Sequence, residues 1–119
     1  MKPASEIKSE LLQFSGTTQY YRHLLGVLFT DGIKYLADEC QCYWLLDLIV
    51  SWQTHQHVRE QEFQVFKLKV DVSNRTAVVT IEDGNDNIIQ TQKIPFTDFP
   101  LDSIEIWYSN KVMYLPSEH

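Results

Sequence analysis

The chain has 119 residues, 44% of them hydrophobic and 13% aromatic, which is the profile of one folded domain and excludes extended disorder. Its 16 acidic and 10 basic side chains leave a net charge of −6, and the basic ones are scattered, so a phosphate-gripping nucleic-acid surface is not expected. The start, Met1-Lys2-Pro3-Ala4-Ser5-Glu6, has no apolar run of the kind a secretion signal needs. The most apolar segment, Tyr43 to Trp52, is too short to span a bilayer and contains Asp47, so the expectation is a cytoplasmic protein with no membrane partner.

In chain order, Ala4 to Gln13 reads as a short helix, with Ile7, Leu11, Leu12 and Phe14 as its apolar stripe and Gly16 as its stop. Tyr20 to Phe29 matches neither a helical nor a strand period and reads as a partly extended connector. Thr30-Asp31-Gly32 then supplies a helix start, because Thr30 or Asp31 can accept a bond from an unpaired N–H of the first turn. The helix it opens runs to Trp52. Its first stripe, Ile33, Leu36, Ala37 and Cys40, is rotated by one residue step, ~100°, from its second, Leu45, Leu48, Ile49 and Trp52. The helix therefore bends or breaks near Gln41, or buries its second half on several sides.

Beyond His57 the period changes to two. Phe66, Leu68, Val70 and Val72 alternate with Lys67, Lys69 and Asp71; Ser73-Asn74-Arg75 turns into Thr76 to Glu82, and Asp83 to Asp86 turns into Asn87 to Ile94. Two last strands, Ser103 to Tyr108 and Val112 to Leu115, join at Ser109-Asn110-Lys111. The expected fold is α+β: an antiparallel meander of four or five strands with the N-terminal helices, one short and one longer and bent, packed on one face. Val112 to Leu115, the last strand, is expected to leave an open edge on which a second copy would pair as a two-fold dimer.

Several phrases of the chain are distinctive: Phe14-Ser15-Gly16-Thr17, Tyr20-Tyr21-Arg22-His23, Thr30-Asp31-Gly32, Tyr43-Trp44-Leu45-Leu46-Asp47, Thr97-Asp98-Phe99-Pro100-Leu101 and Leu115-Pro116. Together they resemble a family of small bacterial proteins catalogued as a domain of unknown function, from about Leu12 to Glu118. The resemblance implies a bacterial, cytoplasmic, single-domain protein and carries no activity, cofactor or catalytic residue with it.

Asp47, set between Leu46 and Leu48, reads as a buried carboxylate that pins the helix, and its loss is expected to destabilise by roughly 1–3 kcal/mol. Around it, Tyr20, Tyr21, Arg22, His23, Asp31, Tyr43, Trp44 and Asp98 are the remaining candidates for a polar pocket between the central helix and the connector. A buried Asp47 could alternatively serve as a tuned acid or base, His23 oriented by Asp31 or Asp98 is a second acid–base arrangement, and no serine or cysteine stands in a nucleophile context. Cys40, Cys42, His55 and His57 have spacings too short for zinc, and no phosphate loop is present, so no metal or cofactor is expected. With 3 Trp, 6 Tyr and 6 Phe, the leading reading is a non-enzymatic module that binds a protein, itself or another. The alternative is a small-ligand binder or small enzyme using the pocket.

Overall fold

A computed structural model describes residues 2–119. Helix α1 (Ala4–Leu11) is followed by two short strands, β1 (Tyr20–Arg22) and β2 (Leu28–Thr30), and by α2 (Asp31–Glu39), α3 (Tyr43–Trp52) and α4 (Gln56–Arg59). Five strands follow, β3 (Phe63–Asp71), β4 (Thr76–Glu82), β5 (Ile88–Ile94), β6 (Ser103–Ser109) and β7 (Val112–Tyr114), and a short 3-10 turn, Pro116–Glu118, comes after them. Among the described residues no helix is long and apolar enough to cross a membrane.

The class is α+β, but the expected four- or five-stranded antiparallel meander is overturned. There is one seven-stranded mixed sheet in the order β1-β2-β7-β6-β3-β4-β5. Two features defeat the meander. After β5, Pro95 and Pro100 flank a loop that carries the chain back across the sheet, so β6 pairs with β3, with Phe66 opposite Ile106. The connector Tyr20 to Phe29 is itself a pair of strands, and β2 lies parallel to β7, Leu28 opposite Val112 and Phe29 opposite Met113. The strand read as an open edge is thus an interior strand, and the edges belong to β1 and β5.

Alternation decides which side of the sheet is covered. Phe66, Leu68, Val79, Ile81, Ile106 and Met113 share one face and join Ile33, Leu36, Leu45, Leu46 and Ile49 of the helices in the core. Lys67, Lys69, Val78 and Glu105 lie on the other face.

The long helix breaks where its two stripes change phase. Gln41 takes a left-handed φ of 50°, and the Cys42 N–H returns to the Ala37 carbonyl at 3.0 Å, the long-range bond of a Schellman end. The new helix exposes Tyr43, Asp47 and Ser51, spaced four apart, and buries Leu45, Leu46, Leu48, Ile49 and Val50. Asp47 falls on the solvent stripe with 67% of its side chain exposed, which corrects the expectation of a buried carboxylate and removes the basis for a large loss on its replacement. Leu12, read as core, is exposed beyond the end of α1. Cys40 and Cys42 are buried free thiols, and burial pushes Cys40 up to about 11.

A buried amide pair ties α3, α4 and β3 together. Gln53 Nε2 donates to Gln64 Oε1 at 2.7 Å, and Gln64 Nε2 donates to Gln53 Oε1 at 3.0 Å and to the Val58 carbonyl at 2.8 Å. Gln64 is wholly buried, so removing it strands the Gln53 amide in a dry interior. Gln64→Leu is expected to lower stability by about 2–3 kcal/mol in urea denaturation, and the Gln53→Leu, Gln64→Leu double variant by less than the sum of the singles. A single replacement that leaves the midpoint in place contradicts this.

Candidate functional site

Most of the polar side chains expected to line a pocket come together, and they are joined to one another. Thr30, not Asp31, caps α2, accepting the Ile33 N–H at 3.4 Å. Asp31 turns instead to the preceding loop: its Oδ2 accepts the Thr18 N–H at 2.9 Å, and its Oδ1 accepts the Tyr21 hydroxyl at 3.1 Å. The Thr18 backbone N–H is the first reason that the Asp31 carboxyl is held below the usual value, with the Thr17, Tyr21 and Thr18 hydroxyls adding to it against partial burial.

His23 Nε2 lies 2.8 Å from Asp47 Oδ1, while the Leu24 N–H donates to His23 Nδ1 at 2.6 Å. The second bond makes Nδ1 an acceptor, so the ring proton sits on Nε2 and points at Asp47. Both nitrogens are committed, and base catalysis by this ring would require breaking the Leu24 bond. The partner that orients His23 is Asp47, and neither Asp31 nor Asp98 takes that role.

Tyr43 donates to Asp38 Oδ1 at 2.6 Å, and Lys34 Nζ lies 2.6 Å from Asp38 Oδ2 and 5.5 Å from the centre of the Tyr21 ring. Lys34 foremost, then Tyr43, holds the Asp38 carboxyl down, and the same bond raises the Tyr43 hydroxyl. Phe29 lies at the centre of the group, with ring centroids 5.5 Å from Tyr21, 6.4 Å from His23 and 6.5 Å from Tyr43. Tyr20 and Arg22 are exposed on β1, and Trp44 is half-buried against the core. Asp98 is exposed in the loop between β5 and β6; there the Thr97 hydroxyl, not Asp98, accepts the Phe99 N–H, at 3.1 Å. Cys40, Cys42, His55 and His57 do not converge. Among the described residues no group of three metal-ligating side chains does, and His57 is bonded to Gln90 at 3.0 Å.

The opening beside the connector lies on its other side. A cleft of about 670 Å³ is enclosed by Leu25 and Val27 of the β1–β2 turn, Gln53 and Arg59 at the ends of α3 and α4, and Tyr108 and Lys111 of the β6–β7 hairpin. Sequence reading missed all six. Tyr108 is 7% exposed, and among the described residues its hydroxyl has neither donor nor acceptor; burial alone raises it. Among the described residues no fully occluded side-chain polar atom is without a partner, so this hydroxyl retains access to solvent, and the space beside it is the cleft.

The rim is conformationally strained. Leu25 (φ 59°), Gly26 (φ 75°), Asn110 (φ 53°) and Lys111 (φ 63°) are all left-handed. Asn110 and Lys111 are the central pair of a two-residue hairpin, where positive φ at both positions favours Asn-Gly. Lys111 stands where glycine is easiest, at about 1 kcal/mol or more. That mismatch at Ser109-Asn110-Lys111, together with two adjacent leucines before Gly26 in a turn, is the signal by which the sequence marks this rim.

The carboxylates held low in the folded state make stability depend on acid. Asp31, Asp38, Asp83 and Asp102 all fall below the ordinary 3.8, so each stabilises fully above that value and loses its contribution as the pH drops through its folded value. The denaturation midpoint is expected to be flat between about pH 5 and 8 and to fall steadily below about pH 4, with Asp31→Asn flattening the acid fall. An Asp31→Asn profile that matches the wild type in shape contradicts the assignment.

No curated protein and no solved structure matches the chain. A family model does, over residues 5–119, which is nearly the whole length. On that span the chain belongs to DUF6876, a family of unknown function.

Proposed function

We propose that the protein is a non-enzymatic binding module whose working surface is the cleft between the β1–β2 turn, α4 and the β6–β7 hairpin. The observation that carries this reading is the cleft of about 670 Å³ lined by Tyr108, a buried residue whose solvent-accessible hydroxyl has no protein partner among the described residues. A hydroxyl whose only partner is solvent can exchange that water for a ligand that enters the cleft. The volume falls in the range that holds small ligands. The candidate chemical groups, His23, Asp47, Asp31, Tyr21 and Tyr43, are bonded among themselves or to their neighbours and define a clasp that holds the connector on α2 and α3. Pairing with a second copy through β7 loses its motive, since β2 occupies that edge.

A small-fragment screen followed by amide NMR tests the reading. The expected result is that bound fragments shift a contiguous set of amides, Leu25, Arg59 and Ser109 to Lys111, and are recovered chemically unchanged. Hits that gather elsewhere, as in the groove beside Leu12 and Leu101, would overturn the choice of surface, and turnover of a bound compound would overturn the non-enzymatic half.

A further inference from the structure

The cleft differs in sign from the chain that builds it. The net charge is −6, yet two cations, Arg59 and Lys111, line this space, and among the described residues neither has a carboxylate within 4.0 Å. Arg59 makes a single long bond, Nη1 to the Gln53 carbonyl at 3.4 Å, which leaves most of its fork free. Lys111 is exposed, and its Nζ lies 3.8 Å from where a Cβ on Gly26 would stand, so the ammonium reaches across the mouth toward the β1–β2 turn. The turn that carries it would be better formed by glycine, which has no charge to offer. The unpartnered Tyr108 hydroxyl adds a neutral donor from deeper in the wall.

A guanidinium fork, an ammonium and a phenol are complementary to an oxyanion, which accepts from all three. Leu25 and Val27 supply an apolar wall for the body that bears it. Glu62, the one acid on the lining, and the presence of only two cations weigh against a polyanion such as a nucleic-acid backbone. Resting on the reading of the cleft as the binding surface, we infer that its ligand is a small organic oxyanion, a carboxylate or a phosphate monoester on a compact apolar group, held by Arg59, Lys111 and Tyr108.

Phenylacetate, phenyl phosphate and the neutral phenylacetamide, titrated at low ionic strength into the full chain and read on the amides of Leu25, Ser109 and Lys111, test the inference. At least one anion is expected to saturate at a concentration roughly tenfold or more below the amide. Saturation by phenylacetate alone assigns a carboxylate, and by phenyl phosphate alone a phosphate ester. Arg59→Gln and Lys111→Met should each weaken that anion by roughly tenfold, and Glu62→Gln should tighten it. Lys111→Gly should raise the melting temperature while losing the same affinity, a combination that a purely structural lysine would not give. Equal binding of amide and anions overturns the oxyanion and leaves the cleft as a binding surface. No response to any of the three, or affinities unchanged in both cation variants, overturns the inference as well.

Discussion

The parallel pairing of β2 with β7 is the constraint on which the rest of the molecule depends. It joins two three-residue strands, too short to hold by their ladder alone, across more than two-thirds of the chain, Leu28 to Val112. Closing so long a loop brings no local contacts to offset its entropy, so the pair needs other anchors. Glu118 supplies them. Its carboxylate accepts the Thr30 hydroxyl at 2.6 Å, the Leu115 N–H at 2.9 Å and the Gly32 N–H at 3.1 Å. An anion placed against the first turn of α2 is also favoured by the helix dipole. Gly32 leaves the room this needs: a Cβ there would stand 2.6 Å from Glu118 Oε1 and 2.7 Å from Leu115 Cδ1, so a larger residue would displace the ends of both side chains.

That latch helps to position both the polar clasp and the cleft. Holding β2 in the sheet sets Phe29 against Met113 and gathers Tyr21, His23 and Tyr43 around it, where their polar ends pair off with Asp31, Asp47 and Asp38. At the other end of the same pairing, the Leu28 N–H binds the Lys111 carbonyl at 2.8 Å, which draws two left-handed turns together as the walls of the cleft. One side of the connector is closed by its own hydrogen bonds and the other is left open. The difference between a structural cluster and a binding surface here is whether the polar atoms already have partners.

How much of this was legible follows the range of the forces involved. Alternation in Phe66 to Val72 and the turn residues of Ser73-Asn74-Arg75 and Ser109-Asn110-Lys111 located β3, β4, β6 and β7, because those signals are local. The break at Gln41 was visible as a phase shift between two stripes. Reading Asp47 as buried weighed its neighbours Leu46 and Leu48 over the four-residue spacing of Tyr43, Asp47 and Ser51, which places it outside. The sheet order was not legible. Nothing within Leu28–Thr30 specifies that its partner is Val112–Tyr114, and a three-residue strand is too brief to show a period. Of the expected pocket residues, Tyr21, His23, Asp31, Tyr43 and Asp47 gather around Phe29 while Tyr20, Arg22, Trp44 and Asp98 lie apart, and the Tyr108 hydroxyl and the free charges of Arg59 and Lys111 come from separate segments that only the long-range pairing assembles.

The central claim is that the Glu118 latch and the β2–β7 pair stand or fall together while the β3–β4–β6 centre is independent of them. Native-state hydrogen exchange on the wild type and on Glu118→Ala tests it most directly. The account predicts that the Leu28 and Gly32 amides lose protection together in the variant, and that Leu68 and Val79 keep theirs. Full protection of Leu28 in Glu118→Ala, or uniform loss across the sheet, would contradict it.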